Sequence, residues 1–174
     1  MKAIETFPEI GLIKDLALRE KVVAVVEDAV NEGGWTFDTL ESIPFTLLIE
    51  NTKISIVTHT RAVTNTAINI GKTLNQFYGE NFIDIDLLTA GGILHDIGKL
   101  LEYKLENGKY SVSDNGKYLR HPFSGAALAF KHKLPDAVTH MIAMHAKEGD
   151  LSKRTREAII IHYADFSNFE PLRV

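Results

Sequence analysis

The sequence predicts an all-α fold of a single domain, and three observations carry that expectation. Apolar residues recur at intervals of three and four along most of the chain, which is the helical period. Helix punctuation recurs with them: Asp84, Asp86, Ser152 and Thr155 as candidate N-caps, Pro122 and Pro135 at candidate first turns, and Gly33-Gly34 and Gly79 at candidate ends. Only one stretch, between Glu102 and Leu119, has the look of strand and turn.

Residues 11–32 set Leu16, Leu18, Val22, Val23, Val25, Val26, Ala29 and Val30 among charges, and Gly33-Gly34 ends the pattern, which predicts a first helix. Residues 35–55 lack a period and contain Pro44, and are read as a helical turn and a loop. A second long helix is expected over 57–78, where Ala62, Val63, Thr66, Ala67, Ile70, Leu74 and Phe77 share a face before Gly79. The third, 87–101, is apolar nearly all round and therefore belongs at the centre. Residues 102–119, with Asn107-Gly108 and Asn115-Gly116 flanking a Lys-Tyr-Ser-Val-Ser run, predict a short hairpin or ordered loop inserted in the bundle. His121-Pro122 opens a fourth helix, Pro135 a fifth running to His145, and Ser152 or Thr155 a sixth ending near Phe169. The domain plan is a helical extension, residues 1–50, packed on a core of residues 51–174.

Composition sets outer limits on function. The chain has no cysteine, so disulfides, thiolate nucleophiles and sulfur-ligated zinc are excluded, and any metal must be held by nitrogen and oxygen. Its net charge is −4 and no block of like charge stands out, so no extended nucleic-acid surface is expected. There is neither an apolar run of roughly 18 to 20 residues nor an apolar stretch after Met1, so the expectation is a cytoplasmic protein without membrane contact, monomeric or homo-oligomeric.

The most informative segment is Ala90-Gly91-Gly92-Ile93-Leu94-His95-Asp96-Ile97-Gly98-Lys99. A histidine and an aspartate stand side by side in an otherwise apolar helix. An uncompensated carboxylate there would cost several kcal/mol, so a cation is expected against Asp96. Gly91 and Gly92, one turn earlier, clear bulk for a neighbouring helix or a ligand. Further candidate ligands fall one per helix: His59 on the second, His121 starting the fourth, His145 ending the fifth. Asp165 lies one and two turns beyond Ile161 and Ala158, on a face that reads as buried. Side chains from several helices meeting at one centre are how metal sites are built inside helical bundles.

This pattern resembles the HD superfamily of metal-dependent phosphohydrolases, named for its paired His-Asp, over about residues 55–168, with His95-Asp96-Ile97-Gly98-Lys99 as its most specific part. The resemblance implies an HD-type helical bundle in which His59, His95, Asp96 and Asp165 bind a first divalent metal. In the binuclear branch His121 and His145 bind a second ion, and Asp96 bridges the two. It implies hydrolysis of a small phosphomonoester or phosphodiester, a nucleotide above all, by metal-activated water. The metal would be iron, manganese, cobalt, nickel or zinc, all suited to such ligands. Asp96 and Lys99 are the candidate catalytic residues; Lys99, one turn past His95, is placed to neutralise phosphate, with Arg120 and Lys147 as lesser candidates. The same ligands also suit a di-iron oxygenase, and a third reading is an HD fold kept as a non-catalytic binding module. His132, His140 and His162 are read as structural. Tyr103, Tyr110, Tyr118 and Phe123 are candidates to line a pocket.

Overall fold

Residues 2–174 are described by a computed structural model. It is helical almost throughout, with one two-stranded antiparallel sheet among the described residues. A short helix α1 (Lys2–Thr6) and a 3-10 turn (Pro8–Leu12) precede α2 (Leu16–Glu32). The expected start of the first helix at residue 11 is therefore corrected to Leu16. Asp15 sets that start, because its carboxylate accepts the N–H groups of Ala17 and Leu18 that the first turn leaves unpaired. A 3-10 turn (Phe37–Ser42) and an extended loop lead to α3 (Ile56–Tyr78), which is capped by Ser55 and closed by Gly79 at φ 118°.

Helix α4 (Ile85–Leu94) is the axis of the molecule: its residues from Leu88 to Leu94 are all buried, and it packs on α2, α3, α8 (Asp136–Met144) and α9 (Arg156–Phe169). Asp84 supplies its cap, through Leu87 N. The carboxylate of Asp86 does different work, accepting Lys14 N and Asp15 N at 2.9 and 2.8 Å and so tying the entry of α2 to the first turn of α4. The glycines of α4 admit close neighbours. A Cβ at Gly91 would meet Met141 of α8, and one at Gly92 would meet Thr64 of α3.

The continuous helix expected over 87–101 is not found. It breaks after Leu94 and resumes as α5 (Lys99–Glu102), so His95 and Asp96 stand at a break rather than inside a helix. The cause is local competition for a carbonyl. His95 Nδ1 lies 2.6 Å from Gly92 O, against the last turn of α4, and the next bonds tighten to three-residue spacing, Ile97 N to Leu94 O and Lys99 N to Asp96 O.

Tyr103–Glu106 (β1) and Lys109–Val112 (β2) form the expected hairpin, with Tyr103 opposite Val112. Its turn residues Asn107 and Gly108 both take positive φ, 52° and 75°, the requirement of a tight two-residue hairpin turn. Asn115-Gly116, expected as a second turn, lies instead in a short helix α6 (Asp114–Tyr118) that Ser113 caps through Gly116 N. Helix α7 (His121–Lys131) follows, and Thr155 caps α9. Pro135 is the N-cap of α8 rather than its first residue. No helix among the described residues is long and apolar enough to cross a membrane.

Candidate metal centre

Five elements converge where the break after α4 meets the other helices. His59 comes from the first turn of α3, His95 and Asp96 from the break, His121 from the first residue of α7, His145 from just past α8, and Asp165 from the middle of α9. All six are brought together. His59, His95, Asp96 and Asp165 form one group of donor atoms, and Asp96, His121 and His145 form another, with Asp96 common to both.

The two oxygens of Asp96 divide between these groups. Oδ2 lies 3.5 Å from His59 Nε2 and 3.4 Å from His95 Nε2. Oδ1 lies 3.3 Å from His121 Nε2 and 3.6 Å from His145 Nε2. Asp165 Oδ1 joins the first group at 3.0 Å from His59 Nε2 and 3.9 Å from His95 Nε2. Two donors each about 2.1 Å from a common ion at tetrahedral angles stand roughly 3.4 Å apart, so these separations suit ligands of shared ions.

Hydrogen bonds at the far ring nitrogens aim three of the imidazoles. Nδ1 of His95 meets Gly92 O and Nδ1 of His145 meets Ile142 O at 2.8 Å, each a carbonyl three residues back at a helix end. Nδ1 of His121 meets Glu102 Oε2 at 2.8 Å. Carbonyls and carboxylates only accept, so these Nδ1 atoms carry protons and each Nε2 is turned toward the centre. His95 Nε2 and Asp96 Oδ1 are fully buried and have no hydrogen-bond partner. Buried polar atoms are rarely left so, and an all-nitrogen-and-oxygen donor set with one such atom in each half of the cluster fits divalent cations.

Residues 56–166 match the HD-domain family. This chain belongs to the HD-domain family.

Among characterised proteins the HD domain is similar to ribonuclease Y of Desulforamulus reducens, 34% identical over 83 residues that cover 48% of this chain and 14% of that protein. Ribonuclease Y of Listeria monocytogenes and of Enterococcus faecalis are each 29% identical over 103 residues, 59% of this chain and 17% of theirs. The likeness thus spans less than a fifth of those proteins' length. No solved structure matches the chain significantly.

A cavity of about 480 Å³ opens on the HD centre, with His59, Asp96, His121 and Asp165 on its floor. Lys99 lines it but is not a free cation: its ammonium donates to Asp96 Oδ2 at 2.6 Å and to Phe45 O at 2.7 Å. Arg120 and Lys147 also line it, and Arg120 is paired with Glu102 at 3.2 Å. Of the four aromatics expected at a pocket, only Tyr103 lines it. Tyr110 is held by Ser42 and Trp35, while Tyr118 and Phe123 face solvent. The aromatic wall is Phe45, Phe166 and Phe169, and the ring of Phe45 lies 4.5 Å from that of His59. His132 pairs with Asp28, His140 accepts Thr155 N, and His162 Nδ1 meets His145 O, so all three are occupied outside the cluster.

Charge within the HD centre is set by burial and by mutual contact. Burial pushes His121 down to about 4 against the pull of Glu102 and Asp96, and burial lowers His59 against Asp165 and Asp96. His95 is pulled down by burial too, yet Asp96 and Asp165 hold it above its ordinary value. Burial opposes the ionised form of Asp96, but Lys99 and His95 hold it well below the usual carboxylate range. Burial opposes the ionised form of Asp165 as well, but the hydrogen bond with His59 and the charges of His95 and His145 together bring it to about 2.

These shifts fix the acid response of the metal-free protein. Between pH 6.5 and about 4 the unfolded chain protonates His121 while the folded chain resists doing so, and below pH 6.5 His59 resists in the same direction. Stability present above pH 6.5 is therefore lost as pH falls through that window, by up to about 1.4 kcal/mol per pH unit for each histidine. His95 is protonated in both states there and adds no slope. The urea midpoint of chelator-treated protein is expected to fall from about pH 7 to about pH 5, and less so in His121→Asn. A midpoint constant across that range would contradict this account.

Proposed function

We propose that this HD domain is a metal-dependent hydrolase of a small phosphomonoester or phosphodiester, with a nucleotide as the favoured substrate and two divalent ions held by the six-residue cluster. The observation that carries the reading is the division of Asp96, one oxygen toward His59 and His95 and the other toward His121 and His145, with Oδ1 unpaired and buried. Family membership supports phosphoester chemistry, as does similarity to proteins named ribonucleases.

In this reading His59, His95, Asp96 and Asp165 would hold the first ion, and His121 and His145, with the shared Asp96, would hold the second. Divalent ions so held would supply a bound water of pKa nearer neutrality and stabilisation of charge on the phosphate oxygens. The chain itself does the positioning. Lys99 has three N–H donors, of which Asp96 and Phe45 O take two, leaving one for a phosphate oxygen. Arg120 and Lys147 add charge along the wall of the cavity. Phe45, Phe166 and Phe169 offer apolar surface to the rest of the substrate and exclude water from around the phosphate. A volume of about 480 Å³ suits a small molecule, and the net charge of −4 does not favour a long polyanion.

The test is hydrolysis with manganese, cobalt, nickel, zinc or iron(II) added, read as phosphate release from an aryl phosphate and a nucleotide panel, as aryl alcohol release from an aryl phosphodiester, and as shortening of an oligoribonucleotide. Release from the small substrates, dependent on metal and lost with chelator, is the expected result. Oxygen consumption by the iron-loaded protein without phosphate release would replace this reading with the di-iron oxygenase. Neither activity with any metal would leave a binding module.

A further inference from the structure

The two halves of the cluster are unequal in charge. His59 and His95 have a carboxylate of their own, Asp165, beside the shared Asp96; His121 and His145 have only the shared one. Two neutral imidazoles and one oxygen of a shared carboxylate offer a divalent ion little compensating charge. Behind His121, however, lies another carboxylate. Glu102, buried at 6% exposure, places Oε2 at 2.8 Å from His121 Nδ1 and accepts the backbone N–H of the same residue. Its second oxygen faces Arg120 Nε at 3.2 Å. The matching nitrogens of His95 and His145 meet neutral carbonyls, so of these three rings only His121 is backed by a charge.

We propose that Glu102 is a positioning residue that supplies, through the ring of His121, the negative charge missing from the His121–His145 position, and so sets the affinity of that position for a second divalent ion. The proposal rests on the two-ion reading above. A carboxylate that holds Nδ1–H polarises the imidazole, raises electron density at Nε2 and fixes the ring plane. The competing role is purely structural, since Glu102 also caps the first residue of α7. Charge separates the two roles. Both bonds to His121 end on one oxygen, so Glu102→Gln can keep both while losing the charge and, with it, the contact to Arg120. Arg120 lies on the other side of that charge, is 55% exposed, and can be removed without opening the core.

The experiment is calorimetric titration of manganese(II) into the chelator-stripped full chain, wild type against Glu102→Gln and Arg120→Gln, with electron paramagnetic resonance at two equivalents. Wild type is expected to take two ions and give the spectrum of a coupled pair. In Glu102→Gln the second ion weakens about 10- to 100-fold while the first stays within about threefold, and the signal becomes that of isolated manganese. In Arg120→Gln the second ion tightens by roughly two- to fivefold, because a neutralising partner of Glu102 is gone. Unchanged second-ion affinity in Glu102→Gln, or equal weakening of both ions, overturns the proposal. A wild type that binds one ion refutes the two-ion reading, and the proposal with it, before any variant is compared.

Discussion

Asp96→Asn is expected to abolish turnover and strip both ions, the largest functional effect of any single substitution in this chain. The change keeps size and shape but removes the charge that both halves of the cluster share. It also turns one carboxylate oxygen into an N–H₂ group, and a donor cannot ligate a cation. On either side the amide would face nitrogens at 3.3 to 3.6 Å that are themselves turned toward the centre. Loss of water activation and of phosphate clamping is worth several kcal/mol, and about 4 kcal/mol corresponds to roughly a thousandfold in kcat/KM. Metal-free Asp96→Asn should be less stable as well. Lys99 is 8% exposed and would keep Phe45 O and at best a neutral amide oxygen, and an ammonium buried without its counter-ion costs on the order of 3 kcal/mol. Elemental analysis after gel filtration and phosphate release under saturating metal check both parts. Retention of one tightly bound ion, or of a tenth of wild-type activity, would show that Asp96 does not bridge.

What could be read from the sequence was what local periodicity and the cost of burying charge determine. The hydrophobic face of residues 57–78 placed α3 nearly to its ends, the apolar run from 87 placed the start of α4 but carried its end to 101, seven residues too far, and the rule that a buried carboxylate needs a cation picked out Asp96 and Asp165 from the residues alone. The break after Leu94 was not legible, because it depends on His95 turning back to Gly92 O and on Gly98 meeting α7, contacts that no apolar pattern records. Glu102 was missed for a related reason. It reads as an ordinary charge at the edge of a hairpin, and only the return of the chain at α7 puts His121 against it. A buried glutamate backing a candidate ligand has no signal in the sequence: Glu102 stands six residues past Asp96, off the helical spacing of three or four that would mark a shared face. The aromatic wall was also invisible: Phe45 lies in a stretch without a period, and Phe166 and Phe169 share the α9 pattern with core residues. Long-range packing decides which aromatics face the cavity.

Gly98→Ala is expected to be the most damaging single-methyl change outside the ligands. A Cβ at Gly98 would lie 2.1 Å from His121 O and 2.6 Å from Gly125 N, both backbone atoms of α7, so the helix itself must move. Gly91→Ala is the control, because its Cβ would meet Met141 at 2.5 Å, the sulfur of a flexible side chain that can swing aside. Overpacking against backbone costs up to about 3 kcal/mol or more, and for a chain of this size each kcal/mol lowers Tm by roughly 2 to 4 °C. Gly98→Ala should therefore lose about 6 to 12 °C in the metal-free protein, and Gly91→Ala much less. Displacing α7 also carries His121 away from Asp96 Oδ1, now 3.3 Å distant, so the second ion should weaken in Gly98→Ala while the first, whose candidate ligands come from α3, the break after α4 and α9, persists. Thermal melts with and without manganese separate the two effects, since a weakened second position shows as a smaller metal-induced rise in Tm. Equal melting of the two glycine variants would mean that α7 yields easily, and that the apposition of Gly98 and Gly125 is not what fixes the distance between the two halves of the centre.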